Sequence, residues 1–172
     1  MNNYELTAAI DIASRYDGWK SICPDLENVI RNTATAALVD GIAAIGFTSA
    51  AHIELGIMLT DDAHQRQLNR RYRGHDASTN VLAFPTWEPC APAVAGGPVL
   101  LGDVVLAFET VAREVEERVM LFCDHLRHLI VHGVLHLLGY DHEGEADAAT
   151  MERLEASILA KLGIPDPYRE LD

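Results

Sequence analysis

The segment VHGVLHLLGYDH, residues 131–142, ends the most apolar stretch of the chain and constrains the fold more than any other feature. Apolar residues recur at helical spacing through residues 124–140, which predicts a buried helix near the centre of the molecule. Gly139 follows this run, and glycine readily adopts the left-handed conformation that ends a helix and turns the chain back. The sequence therefore predicts a central helix that ends in a chain reversal.

Three histidines accompany this predicted helix end. His132 and His136 are four residues apart, so they lie on one face of a helix, and the turn at Gly139 can bring His142 beside them. A lone histidine is more often a packing residue, but three at this spacing favour a metal site. Three neutral imidazoles leave one zinc coordination position open, as in catalytic sites. We predict one metal ion per chain, zinc by preference, although nickel and copper also suit imidazole ligands.

Further polar residues are candidates for supporting roles. His125 and His128 continue the histidine stripe on the same helix face, and we interpret both as non-ligands with either a functional or a packing role. Asp103 in the LGD sequence is either an orienting partner for a ligand histidine or water, or a turn residue. Asp141 is a candidate to hold the turn before His142.

The remaining sequence predicts one α+β domain spanning residues 1–172. We expect about four strands in a mixed sheet and about five helices, with the metal site at the C-terminal end of the central helix. The predicted strands lie at residues 4–13, 52–59, 79–85 and 100–107, and the predicted helices at 24–43, 60–74, 108–119, 124–140 and 145–163. Residues 85–98, rich in Pro, Ala and Gly, are predicted to form an exposed loop.

The net charge of −13 opposes general electrostatic capture of nucleic acid. Four basic residues nevertheless fall in QRQLNRRYRG, and the helix predicted there ends at Gly74. Arg70, Arg71 and Arg73 are therefore expected at a helix C-terminus, where cations are favourable. They form either a local basic patch or an ordinary solvated helix face.

Composition also bears on the cellular compartment. We find no signal peptide and no membrane-spanning stretch, and the three cysteines are odd in number and far apart. This pattern is typical of reduced thiols rather than of a disulfide framework. We expect a soluble cytoplasmic protein that does not associate with membranes.

The pattern H-x3-H-x2-G-x2-H resembles the zinc-binding motif of the metzincin peptidases. In those enzymes a Glu follows the first His and acts as the general base, whereas Gly133 stands here. A metal-dependent peptidase is therefore a disfavoured alternative.

HGVLHLLGYDH, together with LNRRYRGHDASTNVLAFP, LLGDVVLA and MERLEASILAKLG, closely resembles the YbeY family of bacterial rRNA maturation endoribonucleases across residues 52–162. The resemblance implies a metal-dependent endoribonuclease that prefers single strands and acts on the 3′ end of small-subunit ribosomal RNA and in ribosome quality control. It implies the three motif histidines as ligands, usually to zinc, and Arg73 as a functional arginine. It also implies association with the small ribosomal subunit and its proteins.

The residue chemistry agrees with phosphodiester cleavage. A metal polarises a phosphoryl oxygen or supplies hydroxide without a neighbouring Glu, and Gly133 is expected to leave room there for a phosphate. A guanidinium matches phosphate oxygens, which favours Arg73, with Arg70 or Arg71 assisting. Ala83 stands where many relatives in that family have serine, so the resemblance does not establish the substrate contacts at this position. A noncatalytic ribosome-binding factor, with an ion that only stabilises the fold, is the second alternative.

Overall fold

The computed structural model describes residues 6–47, 52–88 and 97–169. These residues form four strands and six helices. In chain order they are β1 (Thr7–Ser14), α1 (Gly18–Ile22), α2 (Leu26–Ile45), β2 (His52–Thr60), α3 (Asp62–Arg73), β3 (Val81–Pro85), β4 (Val99–Ala107), α4 (Phe108–Arg118), α5 (Phe122–Leu137) and α6 (Glu145–Lys161). The short helix α1 was not predicted. It places Trp19 in the core, where the indole N–H donates to the carbonyl of Thr60 at 2.9 Å.

The four strands form one mixed sheet in the order β1-β2-β4-β3. Strands β1, β2 and β4 run parallel, and β3 pairs antiparallel with β4. Along β2 the side chains alternate, so that Ile53, Leu55, Ile57 and Leu59 are all buried while the residues between them are less so. The prediction of one α+β domain with a four-stranded mixed sheet is confirmed.

Helix α5 is the central helix, as its apolar sequence predicts. It packs against β3 and β4 on one side and against α2, α4 and α6 on the others. Leu126, Ile130, Val134 and Leu137 are completely buried along it. This burial fixes the C-terminal end of α5, and therefore the side chains that it carries, against the edge of the sheet.

Gly133 lets α5 approach the sheet closely. A Cβ atom at this position would lie 2.7 Å from one methyl carbon of Val104 on β4 and 3.0 Å from the other. The missing side chain thus points at the sheet. The room left by the absent side chain is taken up by Val104, although Gly133 itself also lines the cavity beside the motif histidines, so the expectation that it leaves room there for a phosphate stays a prediction.

We expect Gly133→Ala to destabilise the fold. Overpacking a core contact costs about 1–3 kcal/mol, which exceeds the gain of up to about 1 kcal/mol from the better helix propensity of alanine. Val104 cannot easily move away, since a β-branched side chain has few rotamers. Urea denaturation would measure the change, and the same substitution in a Val104→Ala background should cost less. An equal cost in both backgrounds would contradict the proposed contact.

The expectation of reduced cysteines is wrong for one pair. Cys23, just after α1, and Cys123, in the first turn of α5, form a disulfide with Cα atoms 5.9 Å apart. They are separated by 100 residues in sequence, but Trp19 of α1 packs against Phe122 at the start of α5, which brings the two segments together. Sequence distance was a poor guide to spatial distance here. Cys90 lies outside the described residues.

Within the described ranges, no helix has the length and apolar character needed to cross a bilayer. Most of the predicted Pro, Ala and Gly loop, residues 89–96, lies outside the described part of the chain.

Candidate metal centre

The three motif histidines meet at the end of α5. His132 and His136 occupy successive turns of the helix, and His142 lies in the segment that follows it. Each offers a ring nitrogen, and these three atoms lie within 4.8 Å of one another. The Nε2 atoms of His132 and His136 are 3.0 Å apart. This imidazole cluster, His132, His136 and His142, is a donor set that could hold one metal ion.

The chain reversal that brings in His142 is the one the sequence predicts. Gly139 has a φ of 94°, and its N–H donates to the carbonyl of His136 at 3.0 Å. Beyond the turn, the Asp141 carboxylate accepts hydrogen bonds from the backbone N–H groups of His142 at 2.6 Å and Glu143 at 3.3 Å. Asp141 therefore holds the loop that presents the third imidazole.

A buried carboxylate that sequence analysis missed lies behind the cluster. Glu155 on α6 has no exposed surface, and its Oε1 accepts a hydrogen bond from Nδ1 of His132 at 2.5 Å. Its Oε2 lies 3.4 Å from Nε2 of His128 and accepts a hydrogen bond from the hydroxyl of Tyr168. The charged position within the apolar pattern of α6 was the one available sequence signal. His128 therefore does not contact the cluster directly but is connected to His132 through Glu155.

The charge states of these groups suit metal binding. Burial lowers the pKa of His136 to about 4, and the neighbouring His132 and His142 lower it in the same direction. Burial alone would raise the pKa of Glu155, but hydrogen bonds from His128, His132 and Tyr168 outweigh it and lower the pKa to about 2. Near neutral pH the cluster therefore presents an uncharged His136 imidazole with a free lone pair, and an ionised carboxylate lies behind His132.

The depressed pKa of His136 predicts how the metal-free protein responds to acid. The unfolded chain binds a proton at His136 near pH 6.5, whereas the folded chain binds it only near pH 4. Between these values the unfolded state binds more protons, so stability should fall as the pH drops from about 6.5 to about 4. Urea midpoints of chelator-treated protein would measure this, and His136→Asn should flatten the dependence. An unchanged dependence in that variant would contradict the assignment.

One cavity of about 540 Å³ opens onto the imidazole cluster. Arg73, the last residue of α3, lines the same cavity, and one of its guanidinium nitrogens donates to the carbonyl of Ala83 on β3 at 2.8 Å. The cavity lining includes neither Arg70 nor Arg71. Both are exposed on the same last turn of α3, and the Arg71 guanidinium lies 5.3 Å from the ring centre of Tyr72. The structure therefore places Arg73, but neither Arg70 nor Arg71, at the cavity onto which the cluster opens.

Asp103 lies away from this cavity. Val104 points at α5, and alternation along β4 directs Asp103 to the opposite face of the sheet, where its carboxylate covers Gly56. A role in orienting a ligand histidine is inconsistent with this position. Glu155, and not Asp103, is the carboxylate that contacts a proposed ligand histidine.

Comparison with known proteins agrees with this arrangement. A sequence model of the family described as Endoribonuclease YbeY matches residues 24–163, which include all three histidines and Arg73. The chain belongs to the endoribonuclease YbeY family. The Endoribonuclease YbeY of Bradyrhizobium sp. is 48% identical over 148 residues, or 86% of this chain and 85% of that protein. That of Paramagnetospirillum magneticum is 46% identical over 168 residues, or 96% and 99% of the two chains.

The fold also has a solved counterpart. The solution structure of TM1509 from Thermotoga maritima matches with a TM-score of 0.55, covering 94% of this chain and 100% of that one. At 20% identity this likeness concerns the fold alone. The family resemblance inferred from the motif blocks is thus confirmed. The match to the family model begins at residue 24, well before the first of those blocks at residue 52.

Proposed function

We propose that the chain is a metal-dependent endoribonuclease that cleaves single-stranded RNA. One observation carries the proposal: the imidazole cluster and Arg73 line a single cavity. A metal-binding donor set and a guanidinium placed close together suit phosphodiester cleavage, because both can stabilise the negative charge that develops there. Membership of the endoribonuclease YbeY family supports RNA as the substrate.

We assign the metal as zinc, one ion per chain, with His132, His136 and His142 as its ligands. Three imidazoles fit zinc and leave a coordination position for water or a phosphate oxygen. A bound zinc ion polarises a phosphoryl oxygen or lowers the pKa of a bound water. The protein supplies uncharged nitrogen donors and, through Glu155, a fixed orientation of the His132 ring.

Arg73 is proposed to bind the phosphate that is cleaved. A guanidinium has five N–H donors in a planar fork, and the bond to the Ala83 carbonyl is its one hydrogen bond to the described part of the chain. That bond also fixes the side chain at the cavity wall, so that little conformational entropy is lost when RNA binds. Negative charge that develops on the phosphoryl oxygens is stabilised by such a fixed cation. Arg70 and Arg71, exposed nearby, are proposed to attract the RNA backbone.

Peptide hydrolysis is less well supported. Gly133 supplies no general base, and both oxygens of Glu155 are engaged by His132, His128 and Tyr168. A carboxylate in that state is poorly placed to accept a proton from water in the cavity.

We propose small-subunit ribosomal RNA near its 3′ end as the cellular substrate, in cytoplasmic maturation and ribosome quality control. The support is the motif resemblance to the YbeY family together with the charge of the chain. At a net charge of −13, long-range attraction to RNA is weak, so contacts with the small ribosomal subunit or its proteins would supply part of the binding. Cosedimentation with small subunits, compared between wild type and Arg73→Ala, would test this association.

Removal of the metal should abolish RNA cleavage by the purified protein. The test measures zinc by elemental analysis and cleavage of a short single-stranded RNA before chelation, after chelation and after zinc is restored. Casein hydrolysis is measured in parallel. Cleavage of casein alone would favour the peptidase, whereas ribosome association without cleavage of either substrate would favour the noncatalytic binding factor.

A further inference from the structure

Glu155 is a buried anion whose hydrogen-bonding partners come from two other segments of the chain. His128 and His132 belong to α5, and Tyr168 belongs to the segment that follows α6. Burying a carboxylate without partners is strongly unfavourable, so its position depends on all of these groups. Since Glu155 contacts His132, a proposed metal ligand, it can influence the protonation and orientation of that imidazole.

The contact determines which nitrogen of His132 carries the proton. Oε1 of Glu155 lies 2.5 Å from Nδ1, and an ionised carboxylate only accepts hydrogen bonds. Nδ1 must therefore be protonated, which leaves the lone pair on Nε2 in the neutral ring. That same Nε2 is the atom 3.0 Å from Nε2 of His136. The carboxylate thus aims the lone pair of His132 at the centre of the cluster.

Tyr168 and His128 fix the other carboxylate oxygen. The Tyr168 hydroxyl donates to Oε2, and Nε2 of His128 lies 3.2 Å from the hydroxyl oxygen and 3.4 Å from Oε2. The rings of His128 and Tyr168 also pack edge to face, with centroids 5.6 Å apart. With both oxygens bonded, the carboxylate cannot rotate away from His132.

We propose that Glu155, held by Tyr168 and His128, is a positioning residue that sets the tautomer and orientation of His132 for metal binding. Tyr168, in the segment after α6, thereby helps to hold His132 in the orientation that binds metal. This inference rests on the proposed function, because it assigns His132 as a metal ligand. Tyr168 lies beyond residues 24–163, which the family match covers.

The same helix offers a matched control. Nε2 of His125 lies 2.6 Å from Oε2 of Glu114, so this pair also joins a buried histidine on α5 to a carboxylate. Neither residue lines the cavity at the cluster. Glu114→Gln therefore removes a carboxylate charge that is bonded to a histidine of α5, as Glu155→Gln does, but leaves His132 and its contacts unchanged. For the tyrosine, Tyr16→Phe removes a hydroxyl from a half-buried ring that packs on Phe108 and lies outside the cavity lining.

The experiment compares Glu155→Gln and Tyr168→Phe with these two controls and with wild type. Zinc affinity is measured by competition with a chromophoric chelator, and the His132 tautomer by nitrogen-15 NMR of metal-free protein. We expect Glu155→Gln to weaken zinc binding by roughly 10- to 100-fold. Tyr168→Phe should weaken it by roughly 2- to 10-fold, as expected for one lost hydrogen bond. The controls should keep wild-type affinity even where their melting temperatures fall.

The tautomer measurement separates this proposal from the proposed function. Metal-free wild type should show His132 protonated at Nδ1, and Glu155→Gln should show a mixture of tautomers. Protonation at Nε2 in wild type, an unchanged tautomer in Glu155→Gln, or an equal loss of affinity in Glu114→Gln would overturn the positioning role. If wild type binds no zinc while the tautomers behave as expected, the metal assignment fails and the carboxylate still orients His132.

Discussion

Substitution of His136 by alanine should remove bound zinc from the purified protein and lower RNA cleavage by about 10³-fold or more. His136 supplies the central contact of the cluster, with its Nε2 3.0 Å from that of His132. Two imidazoles alone leave an incomplete ligand set, and a metal ion contributes several kcal/mol of charge stabilisation to phosphoryl chemistry. Each 1.36 kcal/mol corresponds to a factor of ten in rate.

The measurements for this variant are elemental analysis and single-turnover cleavage of a short single-stranded RNA. His52→Ala is the matched control, because His52 is exposed on β2 and lies outside the cavity lining. We expect that control to retain both zinc and activity. Metal-dependent cleavage that survives in His136→Ala would exclude the proposed ligand set.

The parts of the site that sequence predicts are those determined by local geometry. His132 and His136 follow from helical spacing, and the approach of His142 follows from the conformational freedom of Gly139. Each depends on residues within one helix and its turn, where period and turn chemistry restrict the possibilities. Arg73 is different, since only the family motif pointed to it. Its place in the cavity depends on how α3 packs against the sheet.

The parts that sequence missed depend on contacts between distant segments. Glu155 is 23 residues from His132 and reaches it because α6 packs on α5. Cys23 and Cys123 meet because Trp19 of α1 packs against Phe122 at the start of α5. Asp103 shows the opposite error, a predicted contact that does not exist. A one-residue step along a strand reverses the face of the sheet that a side chain occupies, and Asp103 lies on the face away from the histidines. Spacing in sequence cannot establish such relations.

Arg73→Ala is the second substitution with a large expected effect, and it should separate catalysis from metal binding. We expect cleavage of RNA to fall by about 10²–10³-fold, the usual consequence of removing one preorganised donor from a site of developing negative charge. Zinc content should stay at the wild-type value, since Arg73 contacts the carbonyl of Ala83 rather than the imidazole cluster. Stability should change by only about 0.5–1.5 kcal/mol, the net value of one hydrogen bond.

Two further arginine variants show whether the effect comes from position or from charge. Arg71→Ala removes the same charge from the same helix turn but from outside the cavity lining, so it should reduce cleavage only slightly and mainly at low salt. Arg73→Lys keeps the charge and loses the planar fork, so recovery should be partial. Equal losses of cleavage in Arg71→Ala and Arg73→Ala would mean that the arginines of α3 act only by general electrostatic attraction of RNA. A loss confined to position 73, with zinc retained, would place the guanidinium at the phosphate.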